Sequence, residues 1–259
     1  MRQVNDSPLV REAYLLTTDL LSEPGRLDEL HRELGALTHE RCAPWSSAVA
    51  CRAGCASCCH QDVVVFPFEL IPLVANLDES PALRERLADY TAARAQRRFP
   101  PCPLLGPDHR CSVYDLRPSM CRSENSLSAT ACARGPGSHH PKVGEIFMVS
   151  IGVLFGACLA SRDSGFDWSG YELHRALQHI FAAGSTPAQL EARWRSGERL
   201  LPASLATSPA KLPGRPVDLF RTRPRRSTER LLRQGLNGPA LPASPPLVPL
   251  ARLTQRRLR

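Results

Sequence analysis

The run Cys51-Arg-Ala-Gly-Cys55-Ala-Ser-Cys58-Cys59-His60 constrains this chain more than any other stretch. It places four thiols within nine positions, two of them adjacent. Side chains that close in sequence meet at one point only on a short irregular loop, and Gly54 supplies the backbone freedom for the turn. A second group follows: Cys102, then Cys111-Ser-Val-Tyr-Asp-Leu-Arg-Pro-Ser-Met-Cys121-Arg. The two groups read as halves of one metal or iron–sulfur site. Cys132 is an eighth candidate ligand, which would complete two sets of four. The pairing of ligands stays open.

Ten cysteines mean either disulfides or metal, and the compartment decides between them. The N-terminus has no apolar run behind a basic start, so no signal peptide is expected. The most apolar stretch, Ile146 to Ala160, falls short of the roughly 20 residues a membrane helix needs. The expectation is a soluble cytoplasmic protein, without membrane contact, whose thiols stay reduced unless metal holds them. Disulfides are the disfavoured reading.

Within the first group, Cys55 and Cys58 have the C-x2-C spacing that lets both face one ion. Cys51 reaches in from the preceding turn. Cys59 is less simple, because adjacent side chains point apart; it serves a second metal, bridges two, or does not ligate. His60 reads as a neighbour. Cys42 lies outside any tight spacing, and Cys158 sits in an apolar helix where a free cysteine packs as a small hydrophobe. The pair His139-His140 lies in a Gly/Pro/Ser loop and reads as exposed. Arg52, Arg110 and Arg122 each adjoin a cysteine, where guanidinium charge would offset excess thiolate charge; solvated surface arginines are the alternative.

The segments around the cysteines read as helices. Residues 9–21 form a first helix. Residues 26–40 form a second, with Leu27, Leu30, Leu34 and Leu37 at helical spacing. Val63–Phe66 is a short β-branched run, consistent with one strand. After Pro67, Phe68 to Leu77 read as a further helix with Pro72 inside it; if that helix begins only near Ile71, Pro72 falls in its first turn, where proline is tolerated. Residues 80–98 follow, with Ser80 as N-cap and Pro81 at the first position. Residues 100–123 lack periodicity and read as loop held by metal. Three helices complete the body: 143–161; 168–183 with Asp167 as N-cap and Trp168, Leu173, Leu177 and Ile180 facing inward; and 187–200 with a Thr186/Gln189 capping box.

Charge separates the tail from this body. Residues 202–259 carry 12 Lys/Arg against 2 Asp/Glu and ten of the 24 prolines, while the remainder is net −2. The tail reads as disordered and basic. Nucleic acid is a partner it would reach electrostatically through Arg221 to Arg226, without aromatics for base stacking. The expected organisation is an N-terminal helical hairpin at 1–41, a cysteine-cluster metal-binding domain at 42–201 and the tail at 202–259. The expected fold class is mainly α: a small, irregular, metal-stapled helical domain with cysteine-rich loops.

Cys51-x3-Cys55-x2-Cys58 also has the spacing of the radical S-adenosylmethionine motif. That reading lacks support elsewhere: Ser57 stands where that family has an aromatic, Cys59 is foreign to it, and no βα alternation follows. The whole order, Cys51-x3-Cys55-x2-Cys58-Cys59, Cys102-Pro-Leu, and Cys111-x-Val-Tyr114-x-x-Arg117-Pro118-x-x-Cys121-Arg122, resembles the YkgJ-type cysteine-cluster family, the zinc- or iron-chelating CxxCxxCC domain. The resemblance covers roughly residues 42–160. It implies metal binding, as zinc or an iron–sulfur cluster, with Arg117 and Arg122 near the bound group. It does not carry one defined reaction. Some longer relatives are linked to flagellin lysine N-methylation, so a metal-dependent enzyme acting on a protein side chain is the alternative to a structural, redox or carrier role. The chain departs from the family where Ser123-Glu-Asn follows Arg122. No triad, phosphate loop or carboxylate pair points to catalysis.

Overall fold

The computed structural model describes residues 7–134 and 141–207. The chain divides into two units, Met1–Arg221 and Thr222–Arg259; the description concerns the first. The expectations for His139-His140 and for the tail beyond Thr207 lie outside the described residues.

The described residues are mostly helical. Helices α1 (Pro8–Leu21) and α2 (Leu27–Cys42) precede the cysteine knuckle. Strand β1 (Val64–Val65), α3 (Pro67–Asn76) and α4 (Pro81–Ala95) follow it. Short helices α5 (Ser119–Ser123) and α6 (Ala129–Cys132) lead to the long α7 (Gly144–Asp163). Strand β2 (Gly170–Glu172), α8 (Leu173–Ala183), α9 (Pro187–Arg195) and β3 (Ala206–Thr207) complete the order.

Helix α7 is the axis of the core: α1 lies along it, and α2 and α5 also pack against it. It matches the expected helix 143–161 closely, but at 20 residues it is by length and composition alone long enough to cross a membrane, where the apolar stretch Ile146–Ala160 was expected to fall short. Most of it is buried by its neighbours, as in a core helix. The approach of α1 is closest at Gly156, where an added Cβ would stand 2.4 Å from the Val10 carbonyl oxygen. Side chains from 1–41 and from 42–201 share one apolar core, with Leu30 and Leu34 in the same cluster as Leu73, Val113 and Leu154.

Two of the three expected caps form where the sequence placed them. Ser80 Oγ accepts from Leu83 N–H at 3.3 Å. Thr186 and Gln189 exchange reciprocal bonds at 2.9 and 3.3 Å. Helix α3, however, begins at Pro67, so Pro72 is interior and brings no N–H for the Phe68 carbonyl. Pro67 at the first position and Glu69, whose Oε2 accepts from Phe66 N–H at 3.3 Å, fix the earlier start.

The expected helix 168–183 divides into β2 and α8. Asp167 does not cap a helix. Its Oδ1 accepts from Ser169 N–H at 3.0 Å, and its Oδ2 from the Tyr171 hydroxyl at 2.6 Å and Leu200 N–H at 2.8 Å. Glu172 caps α8 instead, accepting from His174 and Arg175 N–H. Trp168 is 49% exposed, whereas Leu173, Leu177, Ile180 and Trp194 are buried. Trp194 Nε1 donates to the Asp167 carbonyl at 2.6 Å, which explains its seat in the core. Asp167→Asn keeps the shape but replaces one acceptor by a donor, so it is expected to cost about 1–3 kcal/mol in urea unfolding.

A three-stranded antiparallel sheet, ordered β1-β2-β3, matters most for the site. Val64 stands opposite Glu172 and Val65 opposite Tyr171, while Gly170 and Tyr171 pair with Thr207 and Ala206. Leu173 N–H extends the pairing to the Val63 carbonyl at 2.8 Å. The sheet carries the start of α8 directly beside the segment that leaves the knuckle.

Candidate metal centre

The knuckle is a chain of tight turns. Gly54 has φ +83°, and Cys55 N–H returns to the Arg52 carbonyl at 3.0 Å. Ser57–His60 is a single 3-10 turn. Cys102 N–H donates to the Cys59 carbonyl at 2.7 Å, joining the two cysteine groups through the backbone. Beyond it, the loop 104–112 closes on itself through Ser112 N–H to the Leu104 carbonyl and Gly106 N–H to the Arg110 carbonyl. Cys51 is anchored alongside Ser126, where Ala50 N–H meets the Ser126 carbonyl at 2.7 Å.

These turns bring the expected ligands into two overlapping neighbourhoods that meet at Cys58, with Cys59 hydrogen-bonded to it. Burial raises the Cys121 thiol well above its ordinary value, and the nearby Cys102, Cys111 and Cys58 raise it further. Burial likewise raises Cys51, with Cys55, Cys58 and Cys132 as its charged neighbours. Cys58 is raised first by its hydrogen bond with Cys59 and then by burial. Cys102 is pushed up to about 11, chiefly by burial. Cys102, Cys111 and Cys121 are the thiols that burial holds in the protonated form, and a bound cation is what displaces such protons.

Cys55, Cys58, Cys59, Cys102, Cys111 and Cys121 all line one cleft of about 460 Å³. Cys51 and Cys132 lie outside its lining; Cys132 is buried, whereas Cys51, Cys55 and Cys58 are exposed. Among the described residues, no three His, Cys, Asp or Glu side chains converge closely enough to form a finished coordination shell. The donor set is nonetheless the soft one that suits zinc and iron, and it is gathered on one face. Cys42 and Cys158 stand apart. Cys42 is pushed up to about 11 by burial alone, and Cys158 is packed in α7.

The two arginines expected near the bound group divide. Arg117 lies over the Tyr114 ring at 3.6 Å and lines the same cleft as the cysteines. Burial raises Cys111 and Cys121, and the Arg117 charge opposes that rise at both. Arg122 is turned away: its guanidinium donates to the carbonyls of Arg117 and Asp115. It also lies against Gly35 of α2. Its role is to brace the loop against α2. His60 contacts the Phe99 carbonyl through Nδ1 at 3.1 Å, and Arg110 pairs with Asp108.

Three side chains at this site were not singled out from the sequence. Glu124 lines the cleft and bears on Cys58 while paired with Lys142. His174 is fully buried and places Nε2 3.1 Å from Cys102 Sγ. Glu172 Oε1 stands 2.8 Å from His174 Nδ1. No spacing rule links Glu172 or His174 to a cysteine; only the pairing of β1 with β2 brings them in.

Comparison with known proteins bears on the same segment. Residues 50–137 match the model of the CxxCxxCC family, described as a "Putative zinc- or iron-chelating domain". The matched segment is a minority of the chain, but it contains every cysteine except Cys42 and Cys158. The match supports metal binding by this segment. No curated protein matches the chain, and no solved structure does.

Proposed function

We propose that the cysteine-cluster segment, matched over residues 50–137 to a zinc- or iron-chelating family, holds zinc or an iron–sulfur cluster at an open thiolate centre and serves to carry or relay it. The observation that carries this reading is the cleft with six cysteines in its wall, into which the exposed Cys55 and Cys58 open. A purely structural site encloses its ion and needs no access, whereas a site that exchanges metal or electrons does. Cys51, Cys55, Cys58, Cys59, Cys102, Cys111, Cys121 and Cys132 are the ligand candidates, with Arg117 offsetting their charge. The bound group would supply a centre for electron or metal exchange. The protein supplies thiolates from separate turns and a cleft through which a partner reaches them. A metal-dependent enzyme acting on a protein side chain is the second reading, favoured by the space of the same cleft.

The test is anaerobic purification followed by metal analysis, acid-labile sulfide determination and a visible spectrum. The expected result is bound zinc, or iron with sulfide and a brown colour. Cys55→Ser and Cys58→Ser should each lower metal content at least tenfold. An open centre also predicts that a chromogenic chelator strips the metal without denaturant. Full-length protein that binds neither metal, with stability indifferent to both substitutions, refutes the proposal.

A further inference from the structure

The cysteines alone leave one arrangement beside them unexplained. His174 is fully buried, yet its ring does not serve packing alone. Glu172 Oε1 lies 2.8 Å from Nδ1. A carboxylate only accepts, so Nδ1 carries a proton, and Nε2 is the ring nitrogen that faces the cysteines. Nε2 lies 3.1 Å from Cys102 Sγ. The Tyr90 ring covers the imidazole at 4.1 Å between centroids, and the Tyr90 hydroxyl is held by the Gln61 carbonyl at 3.3 Å. The ring is thus fixed in direction. A carboxylate behind an imidazole whose other nitrogen meets a soft donor is the support found behind metal-bound histidines.

Resting on the metal-binding reading above, we propose that His174 is a nitrogen ligand of the ion held by Cys102, Cys111 and Cys121, and that Glu172 is its positioning residue. The inner half of the centre is then Cys3His rather than all thiolate. The fourth ligand comes from α8, outside the segment that matches the chelating family. A nucleophilic thiol with its base would use the same two side chains, but it would not require Cys111 and Cys121 in the same cleft wall.

The experiment uses the full chain, stripped of metal and saturated with zinc under anaerobic conditions, with X-ray absorption fine structure reading the ligands. The expected result is a sulfur shell plus the outer-shell scattering of an imidazole. That scattering should disappear in His174→Ala and persist in His179→Ala, which alters an exposed histidine on the same helix. Because His174 is buried and its alanine variant can lose the fold, the wild-type spectrum decides independently. Glu172→Gln gives a second readout: zinc affinity by competition should fall about 10–100-fold, the range for removing a carboxylate behind a metal-bound histidine. Sulfur-only scattering in the wild type, or an unchanged affinity in Glu172→Gln, overturns the inference and leaves the thiolate centre intact. Failure of the wild-type protein to bind zinc or iron at all instead refutes the centre itself.

Discussion

Gly156→Leu is expected to lower the stability of the protein by about 3 kcal/mol, a drop of roughly 6–12 °C in melting temperature for a body of this size. The added Cβ meets the Val10 carbonyl oxygen at 2.4 Å, the Ala13 Cβ at 2.7 Å and the Tyr14 nitrogen at 2.9 Å. Two of these three are backbone atoms within a helix, so no rotamer change relieves them; α1 must move off α7 as a body. That contact is the most extensive between helices, and α7 is also the floor on which α5, bearing Cys121, rests. The check is thermal unfolding against Gly144→Ala, a glycine on the same helix with nothing within 4 Å of an added Cβ. The control should be unchanged within about 0.5 kcal/mol. Equal melting temperatures for the two variants would mean that the crossing at Gly156 is not tight.

The second large effect is expected at Glu69. This fully buried carboxylate joins two elements: Oε1 accepts from Ser119 N–H at 2.7 Å, and Oε2 from Phe66 N–H at 3.3 Å. It therefore ties the first turn of α3 to the residue that opens α5, two positions before Cys121. Glu69→Ala strands both donors in the interior and leaves a void, a cost of about 3–5 kcal/mol. The same variant should bind zinc more weakly, because Cys121 loses its fixed approach. Burial holds the Glu69 carboxyl above its ordinary value. Its contribution to stability is thus present in full below the ordinary carboxylate range and is lost as pH rises through the raised value. In urea unfolding against pH, the deficit of Glu69→Gln relative to the wild type should shrink as pH climbs through that interval. A deficit independent of pH would show that Glu69 is ionised throughout.

Much of the helical frame was legible because its signals are local. The leucines of α2, the Ser80 and Thr186 caps and the apolar run of α7 each lie within a few residues of what they determine. The split of 168–183 was not legible in this way. Asp167 has the chemistry of an N-cap, and its preference was overridden by acceptors required far away, at Tyr171 and Leu200. The helix read at Phe68–Leu77 stands, but the alternative start near Ile71 does not: α3 gains more from starting at Pro67 and engaging Glu69 than it loses at one interior proline. At the centre, the cysteines announced themselves by number and spacing. Arg122 adjoins a cysteine in sequence, but helical geometry turns it toward α2. His174 and Glu172 carry no motif, since the strand pairing that delivers them joins residues distant along the chain.

That pairing sets an order of events during synthesis. The ribosome releases the knuckle and Val64 well before Glu172 and His174 exist. At ordinary elongation rates the interval is roughly 5–20 s. Through that time the nascent chain presents Cys51, Cys55, Cys58 and Cys59 without the partner strand that closes β1 or the imidazole that stands beside Cys102. The surroundings of Cys102 are therefore complete only once β2 and the start of α8 have been made, long after the thiols themselves.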